Sequence, residues 1–153
     1  MVDNGMHCPV DVIFALDESS SVSQTNFDLM KQFVSHLVGR LNVDSSETRV
    51  GLVCYSHHVY TAGAFNLSTH SSLASVQTAI SSLKYDGGLT NTAAALHHVR
   101  TNMLTAAAGD RGDVANVVIL MADGRSTVNA SKTLVSTPAD YVLRNTTLIC
   151  SDV

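Results

Sequence analysis

At 153 residues, with 45% hydrophobic and 14% charged side chains, the chain is sized for one domain with its own core and is too apolar to be disordered. A net charge of −4 and the lack of any Lys/Arg-rich stretch argue against a nucleic-acid-binding surface. No apolar run reaches the length needed to cross a bilayer, so no membrane span is expected.

Val10–Leu16 is a continuous apolar run broken only by Asp11, and it ends at Asp17 and a serine cluster. That pattern predicts a buried strand followed by a loop. Phe27, Met30, Phe33, Val34, Leu37, Val38 and Leu41 then recur at helical spacing, with Ser23 or Thr25 placed to cap. Arg49–Ser56 predicts a second apolar strand, and His57–Phe65 a more polar one suited to a sheet edge. Leu73, Val76, Ile80 and Leu83 mark a second helix, which Asp86-Gly87-Gly88 breaks. Asn91–Ala107 is alanine-rich and predicted helical, with Ala95, Leu96, Val99 and Met103 on one face. Val114–Met121 is the strongest strand signal and runs into Ala122-Asp123-Gly124. Ser131–Arg144 predicts a helix that Pro138 interrupts or delays, and Thr147–Cys150 a last strand. Strands alternating with helices call for an α/β fold: a mostly parallel sheet with helices on both faces.

Three cysteines cannot all pair internally. Cys54 and Cys150 lie in apolar strand runs and read as buried thiols, which leaves Cys8 open to a cysteine outside this chain. Met1–Gly5 lacks the basic start and apolar stretch of a secretory leader. The N-x-S/T sequons at Asn66, Asn129 and Asn145 are compatible with secretion.

In an open parallel sheet, ligands bind beyond the carboxyl ends of the strands, where strand order reverses. Asp17 and Asp123 each follow one of the two most apolar strands. If those strands are neighbours, both carboxylates face one crevice. Positions 17, 19 and 21 alternate, so Asp17, Ser19 and Ser21 share one side of an extended loop. The loop Gly87-Gly88-Leu89-Thr90-Asn91-Thr92 is placed to add a hydroxyl. Such an all-oxygen set suits a hard cation, Mg²⁺ or Mn²⁺, more than zinc, which prefers His or Cys. Because hydroxyls are neutral donors, the cation keeps much of its charge and attracts one more anionic oxygen from outside.

Asp-x-Ser-x-Ser after the first strand, a later Gly-Gly-x-Thr-Asn-Thr, and Asp-Gly after the fourth strand resemble, in content and order, the metal-ion-dependent adhesion site of the von Willebrand factor A family. The chain is most similar to the extracellular-matrix members, matrilins and type VI collagen, with integrin I domains further off. Phrases such as Pro9–Asp17 and Thr48–Val53 carry that similarity. The resemblance implies a Rossmann-like open sheet with one antiparallel edge strand. It covers residues 8–153 as the domain, after an extension over residues 1–7. It implies that Ser19 and Ser21 ligate Mg²⁺ (or Mn²⁺ or Ca²⁺) directly, that Thr90 does so once a ligand is present, and that Asp17 and Asp123 act directly or through water. Glu18, Gly88, Gly124 and Arg125 would then border an extracellular protein partner, such as collagen or another matrix protein, whose acidic side chain completes the coordination. Two positions depart from the family pattern: Glu18 stands where a small residue is usual, adding negative charge near the rim, and Ala122 where Thr is usual. The family's final strand and C-terminal helix also have no counterpart in the sequence.

Bland readings stand beside these. The serine cluster with two aspartates also reads as a capping loop, and Gly87–Thr92 alone reads as a helix start. Arg111-Gly112-Asp113 spells an integrin-recognition tripeptide, but a turn supplies such residues by chance. His57-His58 and His97-His98 are adjacent pairs whose members point apart and chelate poorly. The resulting functional expectation is a secreted, non-enzymatic adhesion module. The alternatives are a self-associating matrix domain with a vestigial metal site, or a Mg²⁺-dependent hydrolase with Asp17 as nucleophile. The last is weakened by Ser at position 19, where a second acid would stand.

Overall fold

The computed structural model describes residues 9–124, residue 127 and the backbone of 146–152. Strand β1 (Val10–Asp17) leads into helix α1 (Ser23–Val38). Strands β2 (Thr48–Tyr55) and β3 (Val59–Phe65) form a hairpin, followed by helices α2 (Leu73–Ser81) and α3 (Thr92–His98). Strands β4 (Ala115–Ala122) and β5 (Thr146–Asp152) complete the sheet. The strand order is β3-β2-β1-β4-β5, with β3 antiparallel and the other pairings parallel. The predicted helix over Ser131–Arg144 lies outside the described residues.

Strand alternation sorts β1 between two cores. Val12, Phe14 and Leu16 pack with Phe27, Met30, Val34 and Val38 of α1 and with Val76 and Ile80 of α2. Ile13 and Ala15 face the other way, onto Val53, Tyr55, Ala95, Val99 and Met103. A strand buried on both faces has to be apolar throughout, which is why β1 reads as an unbroken run. Complete burial of a side chain such as Leu16 or Phe27, each 0% exposed, is worth about 1.5–3 kcal/mol. Gly51 makes the second core possible. A Cβ there would stand 3.3 Å from both Ile13 Cγ1 and Met103 Cε.

Two expectations need correction. Phe33, assigned to the apolar face of α1, is 52% exposed, because the buried stripe runs through Phe27, Met30, Val34 and Val38. The long helix expected over Asn91–Ala107 ends early. α3 widens into a π turn at Val99–Met103, and after Leu104 leaves the helical region a separate 3-10 turn forms at Ala106–Ala108, capped by Thr105. Gly109 then closes the segment at φ 95°, where a Cβ would stand 2.6 Å from the Ser68 nitrogen.

The opposite pole of the sheet is fastened by Arg111. Its Nε donates to Asp11 Oδ1 at 2.9 Å, Nη2 pairs with the same oxygen, and its backbone N–H donates to Asp11 Oδ2 at 3.0 Å. Nη1 reaches Ser46 O at 3.0 Å, and Nη2 reaches Val10 O at 3.2 Å and Glu47 O at 2.9 Å. Asp11 is fully buried on β1. Arg111 is therefore committed to holding the fold, and the arginine of the Arg-Gly-Asp tripeptide is not free for a receptor.

Candidate metal centre

β1 and β4 are adjacent and in register, Leu16 opposite Met121, so their carboxyl ends deliver Asp17 and Asp123 to one place. The β1–α1 loop folds on its own aspartate, with Ser19 N–H donating to Asp17 Oδ1 at 2.8 Å. Ser19 Oγ lies 3.0 Å from Ser21 Oγ, and Ser21 Oγ donates to Asp123 Oδ1 at 3.0 Å. Four of the five expected ligands, Asp17, Ser19, Ser21 and Asp123, thus form one continuous chain of contacts.

Thr90, the fifth, is buried on the loop before α3. That loop docks on the first through paired hydrogen bonds: Ser20 N–H to Gly88 O and Gly88 N–H to Ser20 Oγ, both 2.8 Å. On its other side Thr127 N–H donates to Thr90 O at 2.9 Å, and Thr90 N–H donates to Thr127 Oγ1 at 2.9 Å. Asn91 N–H donates to Ser56 O at 2.8 Å, and Asn91 Oδ1 caps α3 by accepting from Ala94 N–H at 3.1 Å. Neither Ser20 nor Thr127 stands out in the sequence, because what singles them out is a bond to a distant loop.

Asp17 is 0% exposed, and its Oδ2 is buried without a hydrogen-bond partner among the described residues. Burial raises its pKa, Ser19's hydrogen bonds work against that, and the Asp123 charge adds to the rise. A buried carboxylate oxygen left unpaired beside three hydroxyl or carboxylate oxygens fits a hard divalent cation, which would satisfy it and offset its charge. Among the described residues no cluster of three His, Cys, Asp or Glu side chains stands close enough to hold an ion. The candidate set does not need one, since its donors are chiefly hydroxyls.

The residues expected to border a partner separate in the structure. Gly88 and Gly124 are exposed near the candidate ligands, and a Cβ at Gly124 would meet nothing within 4 Å. Arg125 lies outside the described residues. Glu18, expected to charge the rim, is only 2% exposed. It continues the alternation of Phe14 and Leu16 and turns inward, where its charge reaches Cys54. Burial pushes its pKa up to about 7, helped by the negative charges of Asp86 and Asp17. The expectation that adjacent histidines point apart fails at His57 and His58, whose rings lie with centroids 4.0 Å apart and planes tilted by 48°. Cys54 is a buried free thiol whose pKa is raised by burial, as expected of an inert core cysteine. No helix among the described residues is long and apolar enough to cross a membrane.

The comparisons with known proteins agree with this architecture. The chain is 38% identical over 120 residues to the collagen alpha-4(VI) chain of Mus musculus, covering 77% of this chain and 5% of that one. It is 34% identical over 118 residues to vitrin of Mus musculus, covering 77% of this chain and 18% of vitrin. Among solved structures it is similar to proximal thread matrix protein 1 from the mussel byssus, in a form with a zinc-occupied MIDAS motif. The TM-score is 0.80 at 28% identity, covering 94% of this chain and 37% of that one. The chain thus spans less than a fifth of the two curated relatives. The von Willebrand factor type A domain matches residues 11–147, and the chain belongs to that family.

Proposed function

We propose that this chain is a non-enzymatic adhesion module of the extracellular matrix, a domain over residues 8–153 preceded by a short extension over residues 1–7. It holds a divalent cation with Asp17, Ser19, Ser21, Thr90 and Asp123 and captures an acidic side chain of a protein partner through it. The observation that carries this reading is the buried, unpaired Asp17 Oδ2 beside the Ser19–Ser21–Asp123 chain of oxygens. A cation bound there supplies an open coordination position for an outside carboxylate. Asp17 and Asp123 contribute the negative charge, and the serines and Thr90 contribute neutral oxygens that leave the ion electrophilic. A relative that is a collagen chain and a structural neighbour that is a thread matrix protein support an extracellular setting and a matrix partner, collagen among the candidates.

Oxygen donors favour Mg²⁺ or Mn²⁺, with Ca²⁺ also accommodated. The zinc in the mussel protein makes zinc a necessary arm of the test. Titration calorimetry with each ion should give saturable one-site uptake that Asp17→Ala abolishes. Capture of extracellular-matrix protein on the immobilised chain should be lost in EDTA and restored by Mg²⁺. Binding that persists in EDTA, or Mg²⁺-dependent phosphatase or ATPase turnover removed by Asp17→Asn, would refute the adhesion reading.

A further inference from the structure

We infer that Ser20 and Thr127, neither of them a ligand, are positioning residues that set the affinity of the candidate cation site. The inference rests on that site being real. The Gly88–Thr90 loop is held from both sides by the same device. On one side Ser20 donates its N–H to Gly88 O and accepts the Gly88 N–H on Oγ. On the other, Thr127 donates its N–H to Thr90 O and accepts the Thr90 N–H on Oγ1. These four hydrogen bonds, all 2.8–2.9 Å long, join the loops after β1 and β4 to the loop carrying Thr90.

The positions matter because the ligands come from three loops, and a cation gains nothing from a donor that must first be ordered. Ser20 lies between Ser19 and Ser21, so fixing its backbone to Gly88 sets the distance from those two hydroxyls to the Thr90 loop. Thr127 does the same from the Asp123 side. Gly88 takes φ 109°, and a Cβ there would stand 2.5 Å from His57 Nδ1. Gly87 takes φ 79°, with space for a Cβ only 3.1 Å from Ser20 Oγ. The glycines let the loop lie flat against Ser20, and the two hydroxyl oxygens keep it there before any ion arrives. Preorganisation of this kind raises affinity by removing the ordering cost from the binding step.

The test removes each hydroxyl separately in the full chain. Ser20→Ala and Thr127→Ala should each weaken Mn²⁺ uptake about 2- to 10-fold, the span expected for one loop hydrogen bond. Thr127→Ala should sit nearer the upper end, since its bond is better shielded from water. Ser20→Thr and Thr127→Ser keep the accepting oxygen and should restore affinity to within about 2-fold. A second readout needs no metal. Amide hydrogen exchange in the metal-free chain should show Gly88 and Thr90 protected. Ser20→Ala should release Gly88 while leaving Thr90 protected, and Thr127→Ala should do the reverse. Unchanged Mn²⁺ affinity in both alanine variants, or fast exchange at Gly88 and Thr90 in the unaltered chain, overturns the positioning role alone. Failure of the unaltered chain to take up Mn²⁺ overturns the cation site, and the positioning role with it.

Discussion

Replacing Arg111 with Met tests whether the Arg-Gly-Asp tripeptide is part of the framework or a surface signal. The substitution keeps much of the aliphatic length and removes the guanidinium. Asp11, at 0% exposure, would lose its ionic partner and retain only the Arg111 backbone N–H at 3.0 Å. The carbonyls of Val10, Ser46 and Glu47 would lose a donor as well. Breaking a buried pair from one side costs about 3–5 kcal/mol, because the remaining charge is stranded. In a domain of this size 1 kcal/mol moves the melting midpoint by roughly 2–4 °C, so the expected drop is about 6–20 °C. Urea unfolding followed by circular dichroism reads the loss directly. Arg111→Lys should fall between, since an ammonium cannot reproduce the forked contacts. A loss below about 1 kcal/mol for Arg111→Met, within the range of exposed ion pairs, would refute the argument and return the tripeptide to the candidate surface motifs.

Glu18 gives the pH dependence. Its folded pKa of about 7 lies above its ordinary value, so the native state binds the proton more tightly than the unfolded chain. Its contribution to stability is complete below about pH 4.5 and is lost as pH rises through 7. Metal-free protein should therefore be about 2–3 kcal/mol more stable at pH 5 than at pH 8 through this group, and Glu18→Gln should flatten that slope in urea titrations. A slope of opposite sign would contradict the burial of Glu18. Gly88→Ala should cost about 1–3 kcal/mol and lower Mn²⁺ uptake, because φ 109° and the 2.5 Å approach to His57 leave no room for a methyl group; calorimetry and thermal melts measure both. Mn²⁺ at about 100 times its dissociation constant should raise stability by about 2.7 kcal/mol, seen as a higher melting midpoint that Asp17→Ala removes.

Much of the architecture was legible because burial on both faces writes itself plainly into β1, and because β4 carries an unbroken apolar run although only Val118 and Met121 of it are buried. That Asp17 and Asp123 end on the same side follows from the adjacency of β1 and β4. What escaped prediction depended on contacts between residues far apart in the chain. Arg111 sits in a turn of ordinary composition, and only the fold brings it to Asp11, one hundred positions away. Ser20 looks like one more serine in a serine cluster until Gly88, sixty-eight positions on, is laid against it. The family resemblance puts Glu18 at the rim, whereas strand alternation carries it inward. The alanines after Asn91 favour helix, whereas the π turn falls on Val99-Arg100-Thr101-Asn102-Met103, where Val, Thr and Asn are weaker helix formers; the apolar spacing of Ala95, Val99 and Met103 masks that local change.

The place of β1 in the sheet bears on how such a module would carry mechanical load. It is the middle strand, in parallel register with β2 from Val10 to Asp17 and with β4 from Val10 to Leu16. Tension between a partner gripped at the Asp17 end and a tether at the Val10 end would run along its length. It would strain both ladders in shear at once, whereas an edge strand would peel away one bond at a time. Load applied in that direction would fall on the strand hardest to pull out.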